Sequence, residues 1–522
     1  MVWEPEIEEL KYRKRLAEQL GGPEGIDRQH RSGKLTVRER IAKLADANSF
    51  QEIGELAGTA QYKDNELQDF KPSPYVMGLC TINGRSVVVG GGDFTVRGGA
   101  GGIHDPAVQK GWYSQNLALE WRLPYVRLLD AAGGSVKSFE EIGRTYVPDN
   151  AGAAVGYTLL NYVPVVSAVV GSVAGMPAVE ACMAHFTLMV KGTSQVFPGG
   201  PPVVKAALGY DINKEDLGGA KVSEQSGVID RLAKDEDEAF DLIKRFLRYL
   251  PDNVWELPPR GEVIDPPTQR AEGLLSIVPR ETNKPYNPRA LLEMVFDHDS
   301  LFEIAPSYGR SRITALARAN GYTVGVMINN PNFQGGSMDM ASGEKVIRFL
   351  QLCDLFHIPL VGFVDEPGFM VGLEAQKQGV VRAGAQVVCA TASTKVPWIT
   401  FIVRQVYGVA GMVSAGLSRP PGNMVKRYAW PSANWGSMHI EGGAMAAYRR
   451  EIEAAEDPTS KRLEIENRLK ALASPFRTAE AFNIEDIIDP RDTRPLLCDF
   501  VEKAQRLLQA QLGPRTGPGY MP

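Results

Sequence analysis

Histidine and cysteine are the scarce residues of this 522-residue chain, six of the one and five of the other. No two histidines stand at ligand spacing and no C-x-x-C pair occurs, so no metal site and no zinc ribbon is expected. The cysteines (Cys80, Cys182, Cys353, Cys389, Cys498) are scattered, which argues against a disulfide framework and fits a reducing cytoplasm. Long apolar runs are missing as well: none approaches the roughly 20 residues of a membrane span. The opening MVWEPEIEELKYRKRL carries no signal-peptide core and is too acidic for a transit peptide. Charge of one sign is not in excess: 57 basic and 62 acidic residues are interspersed, net −5, with no nucleic-acid footprint. The expectation is a cytoplasmic protein with neither membrane nor nucleic acid as partner.

Glycine and proline are plentiful, and the prolines cluster. Residues 251–288 hold eight of them, which marks a linker. The chain is too long for one core, so the expected domains are 1–250 and 286–522, joined by 251–285. Along the first, residues 5–20 have the period of an exposed amphipathic helix that stops at Gly21-Gly22-Pro23. Thr36-Val-Arg-Glu39 reads as a capping box opening a helix from Val37 to about Ala45. His30 reads as part of a solvated basic face. Tyr75–Ile82 and Ser86–Gly90 flank Asn83-Gly84, a hairpin signal. The glycine-dense stretch from Asp93 to Gly102 lacks a P-loop lysine and dinucleotide spacing, so it is not read as a nucleotide loop. A strand Tyr125–Leu129 leads to Asp130-Ala-Ala-Gly-Gly-Ser135. A helix is expected through Ala178–Val190, a loop over Gly192–Gly200, charged helix over Tyr448–Leu472, and disorder in the last ten residues.

Two stretches organise the rest: Val163–Val179, VPVVSAVVGSVAGMPAV, and Val396–Met412, VPWITFIVRQVYGVAGM. Each is an apolar strand breaking into small residues that lead into a helix. Such a turn leaves backbone N–H groups free, able to hold an oxygen that becomes an oxyanion. The neighbourhoods repeat too. Ile313–Arg318 and Tyr322–Ile328 read as a strand pair turning at Asn320-Gly321, Gly335-Gly336 parallels Gly98-Gly99, and Asp365 stands 44 residues before Val409 as Asp130 stands 45 before Gly175. This self-similarity predicts a duplicated α/β domain of stacked β-β-α turns.

The residues resemble a family at this point. Gln29-His-Arg-Ser-Gly-Lys-Leu-Thr-Val-Arg-Glu-Arg-Ile41, Asn48-Ser-Phe-Gln-Glu52, Asp93-Phe-Thr-Val96, Leu217-Gly-Gly-Ala220, Ser226-Gly-Val228, Phe363-Val-Asp-Glu-Pro-Gly-Phe369, Ala429-Trp-Pro431 and Ile488-Asp-Pro-Arg-Asp-Thr-Arg494 occur in order. In that order the chain resembles the carboxyltransferase (β) subunits of biotin-dependent acyl-CoA carboxylases, of propionyl-CoA carboxylase type. The resemblance implies two tandem crotonase-like domains, and a homo-hexamer (a trimer of dimers) or hetero-oligomer with sites between the N-domain of one subunit and the C-domain of its partner. It implies an acyl-CoA substrate held as an enolate in the first cradle and the ureido oxygen of carboxybiotin in the second. No side-chain base is required. Carried over, the donors fall on Gly175 and Met176 and on Val409 and Ala410. Gly133, Gly134 and Gly408 line the substrate, and Met412 takes the place of an Asp that tunes acyl-chain choice. No biotin-accepting Met-Lys-Met segment is found, so a biotin carboxylase/biotin carrier partner is implied.

Four departures from the family pattern surround the implied site: Gly175-Met176 for Gly-Gly, Gly408-Val-Ala-Gly-Met412 for Gly-Gly-Ala-Tyr-Asp, a longer turn after Asp130, and one residue fewer between Ala220 and Ser226. A neutral Met412 favours a larger or apolar acyl chain; Met176 and Met412 read equally well as core packing. Three other readings stand beside the carboxylase subunit. They are the α subunit of a biotin-dependent acyl-CoA decarboxylase, a degenerate scaffold paired with an active paralogue, and a crotonase-type hydratase or isomerase. The last needs a carboxylate pair, for which Glu180 and Glu366 are the candidates.

Overall fold

The structure, a computed structural model, describes residues 2–99, 106–134, 136–147, 151–416, 423–515 and 519–522. Its chain divides into two compact units, one running to Trp255 and including Pro514–Tyr520, the other spanning Glu256–Gly513. In the first unit the strands are β1 (Gln51–Glu52), β2 (Gly58–Lys63), β3 (Glu66–Pro72), β4 (Tyr75–Ile82), β5 (Arg85–Gly92), β6 (Tyr125–Ala131), β7 (Val165–Ala174), β8 (Phe186–Val190), β9 (Gln195–Phe197) and β10 (Arg231–Ala233). The second holds β11 (Phe302–Ile304), β12 (Arg312–Ala319), β13 (Tyr322–Asn329), β14 (Leu360–Glu366), β15 (Trp398–Tyr407), β16 (Val425–Ala429), β17 (Asn434–Gly436) and β18 (Asp486–Ile487).

The two main sheets have one topology. The orders are β1-β4-β5-β6-β7-β8-β10 with β9 on β7, and β11-β12-β13-β14-β15-β16-β18 with β17 on β15. In each, the first three strands are antiparallel and the others parallel. Local chemistry accounts for the hairpins: Asn83-Gly84 and Asn320-Gly321 all have positive φ, as a two-residue turn matching strand twist demands. The capping box also forms, Thr36 accepting from the Glu39 N–H while Glu39 accepts from the Thr36 N–H, and the helix Val37–Leu44 follows.

Buried parallel strands give each unit its core. All of β8 and almost all of β7 is buried, and Phe186 stacks on Phe246 of the helix Glu236–Leu247 at 4.6 Å between centroids. In the second unit Phe363, Phe401 and Trp430 cluster with Leu497 and Val501 of the helix Thr493–Gln509. Burying one such side chain is worth about 1.5–3 kcal/mol. From Glu256 on, the proline-rich segment belongs to the second unit, where Leu274 and Tyr286 join this core.

Four expectations change. The helix after β7 is short, Met176–Cys182, and Phe186–Val190 is strand β8, because a run of five buried apolar and β-branched residues suits a parallel strand. Gly192–Gly200 contains strand β9. The charged stretch is two helices, Arg449–Glu453 and Pro458–Lys470, the second started by Asp457 accepting from the Thr459 and Ser460 N–H groups. In the tail, Tyr520 is buried with its ring 4.5 Å from that of His185, and its N–H donates to Asn161. Ala100–Gly102, Ser135 and residues 516–518, which earlier readings include, lie outside the described residues.

Candidate active site

Strand register fixes which residues of the two units correspond. Ala131 at the end of β6 pairs with Val173, and Glu366 at the end of β14 pairs with Val406. Ala174 pairs with Phe197 and Tyr407 with Gly436. Gly175 therefore corresponds to Gly408, Met176 to Val409 and Pro177 to Ala410. Sequence spacing sets Gly175 against Val409; the register corrects this by one residue, since the connection before β15 is shorter than the one before β7. The backbone agrees, with φ 67° at Gly175 and 60° at Gly408, a conformation open to glycine and closed to most other residues.

Both turns start a helix, Met176–Cys182 and Gly408–Ser414. Their N–H groups are not equivalent. The Gly175 N–H donates to the Pro198 carbonyl at 3.1 Å, and Pro177 has none to give. Met176 therefore supplies the first turn's open donor, since among the described residues no carbonyl accepts from it. In the second turn neither Val409 nor Ala410 has such an acceptor among the described residues. Facing the first turn is Gly133 (φ 80°), where a Cβ would stand 2.5 Å from the Ala174 carbonyl oxygen. Gly134 follows it and is exposed. The counterpart of Gly133 is Gly368, with φ 131°. Behind each site lies a left-handed run, Arg97-Gly98-Gly99 and Gln334-Gly335-Gly336, all six at positive φ. The Gly98 carbonyl accepts from the Ala132 N–H and so seats this run on the end of β6.

Below the turns each unit buries a carboxylate completely, Asp130 and Asp365. Asp130 accepts from Gln29 at 3.0 Å, Lys34 at 3.0 Å and Arg40 at 3.1 Å, and Arg40 also forks onto Glu236. Asp365 accepts from Arg404 through both Nε and Nη2, and from the side chain of Gln405. Buried charges need such partners. Glu366, beside Asp365, is held by Arg312, Asn329 and Ser414. Burial raises the Glu180 carboxyl above its ordinary range, with Arg127 pulling the other way. The two acids considered for a carboxylate pair thus lie in different units, and Glu366 is already committed. Met412 and Val409 are about half exposed, 45% and 51%, which removes core packing as the account of Met412; Met176 is partly buried.

A match to the family described as the carboxyl transferase domain runs over residues 28–509. The chain belongs to the carboxyl transferase family. It is 34% identical over 501 residues to the propionyl-CoA carboxylase carboxyltransferase subunit of Haloferax mediterranei, covering 95% of both chains. It is 33% identical over 482 residues to the methylmalonyl-CoA decarboxylase α subunit of Veillonella parvula, covering 91% of both. Among solved structures it superposes on the transcarboxylase 12S hexamer with methylmalonyl-coenzyme A bound, at TM-score 0.86 and 30% identity, covering 98% of this chain and 96% of that one. The two units are therefore tandem crotonase-like domains, and the chain is a carboxyltransferase of the biotin-dependent acyl-CoA carboxylases and decarboxylases. No helix among the described residues is long and apolar enough to cross a membrane, and no group of acids, histidines and cysteines there could hold a metal. Nothing in the local sequence singles out Arg40, Arg404 or His439. Aligning the two halves by register would have shown the last, because a histidine stands where the first half has Gly200.

Proposed function

We propose that the first unit holds the thioester oxygen of an acyl-CoA on the Met176 N–H, with the Gly133-Gly134 turn opposite. In the second, the Val409 and Ala410 N–H groups hold the ureido oxygen of biotin. The supporting observation is that two turns of equal register each present at least one N–H, Met176 in the first and Val409 and Ala410 in the second, for which the described residues offer no backbone acceptor. A substrate carbonyl oxygen can accept from N–H groups so placed. Biotin, when bound, supplies the carboxyl group that is moved. The chain's own part is to place fixed donors where negative charge grows, on the thioester oxygen as the α-carbon loses its proton. Donors held by the fold need no rearrangement as the charge forms. The assembly that follows from this reading is a hexamer, the form of the 12S relative, served by a biotin carboxylase/biotin carrier polypeptide.

The same half-reaction run backwards, in a decarboxylase, is favoured by one observation: the Veillonella relative matches nearly as well and as fully as the carboxylase subunit. One assay tests both readings. Purified protein, free biotin and a panel of malonyl-type CoA thioesters are followed for CO2 release. Biotin-dependent release from one thioester supports the site and names the acyl group; silence across the panel would overturn it. The ranking of thioesters by Met412→Asp tests the acyl pocket, with a shift toward short chains expected.

A further inference from the structure

The second cradle has a side-chain pair that the first lacks. His439 precedes the helix Ile440–Ala447 as Gly200 precedes the helix Pro201–Leu208. Its Nε2 lies 2.9 Å from the Pro367 carbonyl oxygen. A carbonyl only accepts, so Nε2 carries the proton. The ring lies against Tyr407, centroids 4.0 Å apart. Tyr407 immediately precedes Gly408 and is itself fixed, its hydroxyl donating to Asn434 at 2.7 Å. The corresponding residues of the first unit are Gly200, Ala174 and Ala132, which can build no such clamp.

Pro367 opens the loop that carries Gly368. On its far side this loop is held by the Met338 N–H, which donates to the Gly368 carbonyl at 3.0 Å, and by the Met370 N–H, which donates to the Met338 carbonyl at 2.8 Å. His439 is the tie on the near side, from the loop to the strand end that leads into Val409 and Ala410. We propose that His439 is a positioning residue of the second cradle, setting the gap between the Gly368 loop and the Val409–Ala410 donors. It rests on the reading of that cradle as the biotin side. A donor displaced by a fraction of an ångström loses much of its value to a developing anion.

The test uses His439→Gly, which copies the first unit and so is compatible with the fold, and His439→Gln, whose amide N–H can still donate. With free biotin and a malonyl-type CoA, His439→Gly should lower kcat/KM for biotin about tenfold or more and leave KM for the thioester within about twofold. Hydrogen exchange at the Met338 and Met370 amides should quicken in His439→Gly and return toward wild type in His439→Gln, with the rate recovering in parallel. Unchanged exchange, an equal loss on both substrates, or a glutamine variant no better than glycine would overturn the proposal. A wild-type chain inert with biotin would sink the carboxyl-transfer reading, and the exchange experiment would still decide the clamp.

Discussion

The two halves of this chain share strand order, strand direction and a positive-φ glycine at each cradle turn, yet they meet the same physical demands with different residues. Asp130 and Asp365 occupy one position. In the second half the cation comes from the neighbouring strand, as Arg404. In the first half the register mate of Arg404 is Gly171, where a Cβ would stand 1.9 Å from the Asp130 carboxylate, and the cation arrives from the helix Val37–Leu44 as Arg40. Likewise Pro177 stands where Ala410 does, and Gly200 where His439 does. Topology survives such exchanges because it depends on burial pattern and turn chemistry, whereas a buried carboxylate needs a cation from any direction. The turns differ in the N–H groups they leave open, Met176 in the first and Val409 and Ala410 in the second.

The largest effect should come from breaking the second half's buried pair. Arg404→Met leaves Asp365 without a cation and should cost about 3–5 kcal/mol in denaturant unfolding. Lys34→Met removes one of two cations on Asp130 while Arg40 and Gln29 remain, and should cost under about 2 kcal/mol. Equal losses would contradict the claim that the halves distribute this task differently. Next is the exchange at the turn. Ala410→Pro copies the first half, removes one donor N–H, and should lower turnover about 100- to 1000-fold with the assembly intact by mass. Pro177→Ala adds an N–H and should alter turnover only a few-fold. Gly175→Pro is unsuited to this purpose, since φ 67° excludes proline whatever the N–H does. Similar losses in Ala410→Pro and Pro177→Ala would show that the asymmetry of donors is unimportant.

Much of the fold is legible in the sequence alone. Asn83-Gly84, Asn320-Gly321 and the Thr36 capping box are short-range devices, and each formed at its expected place. The duplication was visible in spacing. What failed depended on the partner rather than the segment: Phe186–Val190 is an apolar run that suits a helix or a buried strand, and only β7 beside it decides. The cradle alignment slipped by one residue because counts along the chain cannot register a connection of different length, which hydrogen-bond pairing does. Arg40, Arg404 and His439 escaped for the same reason, their partners lying 90, 39 and 72 residues away.

The smallest effect sharpens the comparison at a pair of lysines. Lys110 and Lys345 sit on the 16-residue helices Pro106–Trp121 and Met340–Leu355, with the same sequence offset as β6 and β14. Lys345 donates to three carbonyls, those of Ala305, Tyr308 and Arg312. Lys110 has Glu52 at 3.9 Å, and burial lowers its pKa to about 8, with the Glu52 charge opposing. An unfolded lysine titrates near 10.4. Between these values the unfolded chain binds more protons, so this group makes stability rise with pH from about 8 to 10.4, and below pH 8 the folded state bears the full burial penalty. Lys110→Met removes that penalty. Glu52 keeps Arg38, so no carboxylate is stranded. The variant should be more stable than wild type at pH 7, by at most about 3 kcal/mol. That advantage should fall away as pH rises through 8 and vanish by about 10.4. A gain that does not depend on pH would show that Lys110 costs packing rather than charge, and a loss at pH 7 would show that its contact with Glu52 outweighs its burial.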